Sequence, residues 1–306
     1  MSRTTAPPPP REARPTADRR HRNPTDVRRA GWSTRVVLLV LCALWMLPAL
    51  GLLVTSFRPV DDITTTGWWT ALGDVFDPTA WTTQNYVDVI VAQGMGNAFL
   101  NSLTVTVPAT AVPILAAAFA AYAFAWMRFP GRNFLFIVVV ALLVVPIFVA
   151  FVPIFRLFNT LGIQGDFLSV WLAHTGFGMP LAVYILRNYM AGLPRELIES
   201  AKVDGASHFQ IFWRLIIPLS FPALAAFSIL QFLWVWNDLL VALVFLGSAA
   251  DVEVVTVRLQ GLLGSRGQDW HLLTSGAFVT MIVPLIVFFS LQRYFIRGLT
   301  AGSLKG

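Results

Sequence analysis

Charged side chains are absent from long stretches of this chain, and the lengths of those stretches decide its class. Val36–Phe57 runs 22 residues without Asp, Glu, Lys or Arg, and Asn133–Phe155, Phe167–Leu186, Leu215–Asn237 and Trp270–Gln292 run 20 to 23 residues each. At about 1.5 Å of rise per residue, some 20 helical residues cross the roughly 30 Å hydrocarbon core of a bilayer. Val89–Met127 is uncharged for 39 residues, too long for one crossing. Its first part holds Gln93, Gly94, Gly96, Asn97 and Asn101 and reads as an approach segment, which places the helix at 102–126. The expectation is an all-α membrane protein with six transmembrane helices, at 36–57, 102–126, 133–155, 167–187, 219–246 and 272–296. Composition agrees: 12% of residues are charged, about half the share of a soluble domain, too few to cover a water-facing surface.

The placement of Lys and Arg gives the orientation. Nine lie in the tail through Arg35, Arg128 and Arg132 follow the second span, four lie from Arg187 to Arg214, and Arg293, Arg297 and Lys305 follow the sixth. The alternate loops hold only Arg58, Arg156, Arg258 and Arg266. Eighteen basic residues against four put both termini in the cytoplasm. The net charge of +6 is thus an orientation signal, and nucleic acid is not expected as a partner. Residues 1–34 read as a disordered basic cytoplasmic tail, since arginines and Pro7–Pro10 cannot bury a core. Its length, and the full-length apolar run after it, argue against a cleaved signal peptide. Residues 35–306 form the membrane domain. The single cysteine, Cys42, can make no intrachain disulfide, and the four histidines have no ligand spacing, so no metal is assigned. The preference for Arg over Lys points to a GC-rich bacterial source.

One inner loop, 192–218, is more elaborate than a connector needs. Pro194 suits a first helical turn and Glu196 complements the helix dipole there. Gly205 supplies the left-handed conformation that ends a helix. Ser207 and Gln210 have the form of a capping box opening a second helix, with Phe209, Phe212, Trp213 and Ile216 at helical spacing. Pro218 then marks the start of the fifth span. The expected structure is a short helix, a glycine elbow and an amphipathic helix at the membrane surface.

Glu199-Ser200-Ala201, then Asp204-Gly205-Ala206, then Ile217-Pro218 twelve residues after the glycine, resemble the EAA motif of bacterial ABC-importer permeases. Ser200 stands where that motif has its first alanine, and Ile217 where it has leucine. Trp236-Asn237-Asp238 and the tail from Gln292 to Gly306 are similar to the six-span partner subunit of maltose-type carbohydrate permeases. The resemblance covers roughly 35–306 and makes that region a permease domain. It implies that 192–218 carries a coupling helix docking on a separate ATPase, through Glu199, Ser200, Ala201, Asp204, Gly205, Ala206 and Pro218. It also implies a second permease subunit, an ATPase dimer that holds ATP and Mg, an extracytoplasmic sugar-binding protein, and a bacterial cell membrane around the chain. No cofactor is expected on this chain. Arg58-Pro59-Val60-Asp61-Asp62 before Gly67-Trp68-Trp69 looks most like the α-glucoside branch. Trp68 and Trp69 belong either to an interfacial aromatic belt or to a docking surface for the binding protein.

Polar groups inside the spans leave alternatives open. Asp238 is the one carboxylate deep in an expected span, where a charge is costly unless it faces protein or water. It is a contact to the partner permease, a group lining the path, or a proton site, and Asn237 beside it offers hydrogen bonds. Trp234 and Trp236 either stack on sugar or pack at the membrane interface. His174 is an interior histidine or a substrate contact. The chain has no Gly-x-x-x-x-Gly-Lys-Ser/Thr loop and no Gly-x-Ser-x-Gly elbow. It therefore reads as a non-catalytic permease, with an ion-coupled secondary carrier as the alternative. No internal repeat supports that carrier.

Overall fold

The computed structural model describes residues 31–262 and 269–303; of 291 and 293–303 only the backbone helix is described. Residues 1–30 of the expected basic tail lie outside the described residues, as do Arg266 and Lys305 of the charge count. The chain divides into two compact units, one ending at Pro48 and one beginning at Ala49. The described part of the first is helical from Trp32, the start of α1 (Trp32–Ser56). The rest of the description concerns the second unit.

After α1 the chain makes short elements: α2 (Val60–Thr65), two 3₁₀ turns (Trp68–Leu72, Pro78–Ala80), α3 (Gln84–Val87) and a π-turn (Asp88–Ala92). The long helices follow: α4 (Met95–Trp126), α5 (Arg132–Leu142), α6 (Ile147–Thr160) and α7 (Phe167–Ala191). Next come α8 (Arg195–Val203), α9 (His208–Ile211), a second π-turn (Phe212–Ile216), α10 (Ile217–Trp236), α11 (Leu240–Phe245), α12 (Val255–Gly261) and α13 (Trp270–Ser303). Among the described residues five helices are long and apolar enough to cross a bilayer, or six if the bent pair α5–α6 is one crossing.

Helices α4 and α7 form the most closely packed pair, and α10 packs on both and on α13. Alanine makes this possible: Ala117, Ala118 and Ala121 of α4 meet Ala182, Val183 and Leu186 of α7 in one buried cluster. Small side chains let helix backbones approach where lipid gives no hydrophobic drive for association. Further clusters centre on Val105, Val170 and Phe245 and on Met95, Trp236 and Leu272.

The helices differ from the expected spans at the second, third and fifth. The approach segment is helical from Met95, which makes α4 32 residues long. The third span is not straight: α5 and α6 meet at 103° across Leu143–Pro146. Pro146 has no N–H to give and disfavours the helical conformation at Val145. Leu143, Val144 and Val145 consequently donate to carbonyls only three residues back. The fifth span also breaks: α10 stops at Trp236 and α11 begins at Leu240, rather than one helix filling 219–246. At its other end this span is longer than expected, because helix continues from His208 through the second π-turn into α10. Pro218 thus sits inside a continuous rod. A widened turn is how a helix absorbs the missing N–H and bulk of a proline.

Candidate functional site

Two places bring the singled-out residues together. The first is the 192–218 loop. Helix α8 closes in a Schellman motif: Gly205 at φ +80° donates to the Lys202 carbonyl and Ala206 to the Ala201 carbonyl. Ala201 and Ala206 pack against the buried cluster. The capping box forms as expected, with Ser207 N–H donating to Gln210 Oε1 at 2.8 Å and Gln210 N–H to Ser207 Oγ at 3.3 Å. Buried Ile198, Ile211 and Phe212 anchor the loop. The Tyr122 hydroxyl of α4 bonds His208 Nδ1 at 2.8 Å. Glu199, Ser200, Asp204 and Gly205 are exposed, and Pro218 is exposed in the first turn of α10. Ser200 Oγ donates to the Glu196 carbonyl. A hollow of about 530 Å³ opens between the two arms, lined by Ser200, Asp204, Gly205, Gln210 and Arg214 among others.

The second place lies where the two broken spans meet. Trp234 lies in the last turn of α10, and Asn237 and Asp238 lie in the break that follows it. They line a hollow of about 490 Å³ whose far wall is Pro146, Ile147, Phe148 and Phe151 of the α5–α6 bend. Trp236, two residues from Trp234, points the other way. It is 1% exposed, stacks on Phe232 and donates Nε1–H to the Thr280 carbonyl at 3.0 Å. The structure therefore separates Trp236 from the other three and makes it a core tether to α13.

Asp238 holds its break together. Oδ2 accepts the Ala242 N–H at 3.0 Å, capping α11, and its carbonyl accepts from the Thr256 hydroxyl at 2.6 Å. His174 Nε2 of α7 lies 3.9 Å from the same Oδ2, with the His174 ring edge-on to Trp234 at 5.6 Å. His174 is thus an interior residue facing Asp238. Asn237 donates to the Leu233 carbonyl at 2.7 Å.

Sequence reasoning missed Gln231. It is buried three residues before Trp234, donates to the Ala109 carbonyl at 3.2 Å, and lines an adjoining hollow of about 360 Å³ that shares Ile147 and Trp234 with the first. Gly178 makes room for it, since a Cβ there would fall 2.7 Å from Gln231 Oε1. The signal was available: a lone amide in an apolar run, on the helical face of Trp234.

At the start of the second unit the loop after α1 is built on Arg58, which is 3% exposed. Its guanidinium donates to the Thr66 and Asp62 carbonyls and to the Thr66 and Thr70 hydroxyls. Asn85 in turn donates to the carbonyls of Ser56 and Arg58 at 3.0 and 2.9 Å. Trp68 packs over Gly51, where a Cβ would meet its ring at 2.9 Å, whereas Trp69 and Phe76 are exposed. Asp77 accepts from the Thr79 hydroxyl and N–H, and these bonds hold its carboxyl below the ordinary 3.8. Among the described residues no group of His, Cys, Asp and Glu could hold a metal ion.

Comparison with known proteins agrees with this architecture. Residues 113–301 match the family of binding-protein-dependent transport system inner membrane components. The chain is 59% identical to the osmoprotective compounds uptake permease protein GgtD of Synechocystis sp., over 88% of this chain and 91% of that one. It is 44% identical to the alpha-glucoside transport system permease protein AglG of Rhizobium meliloti, over 93% of this chain and all of the relative. A solved bacterial ABC transporter that imports alginate shares the fold, with a TM-score of 0.66 and 21% identity over 87% of this chain and 99% of that one. The chain belongs to the inner membrane components of binding-protein-dependent transport systems, the permeases of ABC importers.

Proposed function

We propose that this chain is one of two permease subunits of an ATP-driven sugar importer, with both termini in the cytoplasm. The 192–218 elbow is its joint to a separate ATPase dimer, which carries the ATP and Mg. The observation that carries the reading is the construction of the elbow. Two capped arms hold Ala201 and Ala206 against the permease core while Glu199 is exposed and Ser200, Asp204 and Gly205 line an open hollow of about 530 Å³. A connector between spans needs neither cap. Val203 and Leu197, apolar yet exposed on α8, add surface that a partner would cover.

In this mechanism, closure of the ATPases on ATP displaces the elbow. The continuous rod from His208 to Trp236 carries the displacement to the broken ends of α10 and α11. The path then switches between inward and outward access, with sugar delivered by an extracytoplasmic binding protein. Trp69 and Phe76, exposed on the loop built on Arg58, fit a docking surface for that protein. Asn237, Asp238 and Trp234 line the path or meet the partner permease. The Rhizobium meliloti relative's name points to α-glucosides and the Synechocystis relative's to osmoprotective compounds. A neutral glycosidic osmolyte satisfies both. Affinity purification from membranes tests the class: a second multi-span permease and an ATPase are expected with the chain. A homo-oligomer that transports on an ion gradient without an ATPase would overturn it.

A further inference from the structure

Backbone that leaves regular helix at membrane depth is tolerated where it is buried in protein or lines a cavity. Two such departures, Leu143–Pro146 and Asn237–Leu239, meet at one hollow of about 490 Å³, which Pro146 lines from the first and Asn237, Asp238 and Leu239 from the second. That volume lies in the usual range for small-molecule sites. Its lining is also unlike a plain helix-packing surface. Trp234 is 36% exposed, and the His174 ring stands perpendicular to it at 5.6 Å. Asn237 spends its amide N–H on the Leu233 carbonyl, which orients the side chain, and is itself exposed. Asp238 is fixed by the Ala242 N–H and braced toward His174.

An aromatic ring with a preset amide beside it suits a ligand that presents a flat C–H face and a rim of hydroxyls. We propose that Trp234 and Asn237 form a subsite of this chain for one pyranose ring of a neutral glycoside. Trp234 stacks on the ring face and Asn237 Oδ1 accepts from a hydroxyl, while Asp238 acts as a positioning residue that keeps the break open. The adjoining hollow at Gln231 extends the subsite along α10. The proposal rests on the chain being an importer permease and goes further by placing sugar contacts on this subunit.

The test uses the complete importer in proteoliposomes with its binding protein and radiolabelled maltose, sucrose and trehalose. Trp234→Leu is expected to lower the sugar delivered per ATP hydrolysed by up to about tenfold, the order of one lost ring contact. Trp234→Phe should restore most of that ratio, and Asn237→Leu should raise KM for the sugar. Delivery per ATP unchanged in Trp234→Leu would overturn the subsite. So would co-purification of the partner permease lost in Trp234→Leu and in Trp234→Phe alike, because Trp234 would then be an assembly contact. Wild-type uptake of none of the three sugars, with the ATPase still bound, would overturn the glycoside assignment. Absence of the ATPase would overturn the importer reading itself.

Discussion

The chain interrupts its helices in two contrasting settings, one at the 192–218 elbow and one in the middle of the bundle. At the elbow the break is made by backbone conformation. Gly205 takes φ +80°, and neighbouring main-chain groups of the loop satisfy one another. Water can serve whatever remains. In the bundle the break falls in an apolar run, where unpaired backbone groups are expensive. There side chains finish the work: Asp238 takes the Ala242 N–H, and the Thr256 hydroxyl takes the Asp238 carbonyl. The elbow needs a glycine and a cap, whereas the Asn237–Leu239 break also uses polar side chains, Asp238 from the break itself and Thr256 from α12.

The contrast can be broken experimentally. Gly205→Pro removes the left-handed conformation outright, since proline is confined to φ near −65°; uptake in whole cells should be lost while membrane insertion, followed by fractionation, persists. Normal uptake in that variant would deny the elbow its role. Gly178→Val would press on Gln231 across the bundle, where the space for a Cβ is only 2.7 Å. An overpacked interior of this kind costs about 1–3 kcal/mol, read as a lower Tm of the detergent-solubilised complex. Asp238→Ala uncaps α11 and should cost about 1 kcal/mol by the same measurement, with Asp238→Asn recovering most of it. Complete loss of uptake in Asp238→Asn, at preserved stability, would instead favour a proton site.

The smallest effect belongs to Asp77. Its folded-state value is depressed by the Thr79 bonds, so their contribution is present above 3.8 and fades as pH falls through the lower folded value. The Asp77 carboxyl should titrate below 3.8 by NMR, and transport between pH 5 and 8 should be insensitive to this group.

The two breaks were unequally legible in the sequence. The elbow's signals are local: a glycine, and a serine followed three residues later by glutamine, identify the stop and the restart before any fold is known. The membrane breaks depend on tertiary partners. Thr256, eighteen residues beyond Asp238, gives no sign of capturing its carbonyl. Pro146 resembles Pro108, Pro113 and Pro180, which remain inside helices. Trp236 and Trp234 looked equivalent as sugar platforms until the end of α10 set them on opposite faces. Periodicity alone would have parted them, because two residues along a helix is more than half a turn. The approximate positions of the long apolar helices were readable, since the lack of charge over some 20 residues needs no partner to interpret.

In the proposed importer the exposed surface of the 192–218 elbow meets a separate ATPase. A photo-crosslinking residue at Val203, which is 87% exposed at the end of α8, tests this most directly. The matched control is the same probe at Val144, 82% exposed at the α5–α6 bend. Irradiation of intact membranes should join position 203 to an ATP-binding subunit and leave position 144 joined to lipid or a second permease. If position 203 captures only lipid while the importer is active, the elbow is a membrane anchor and the coupling assignment fails.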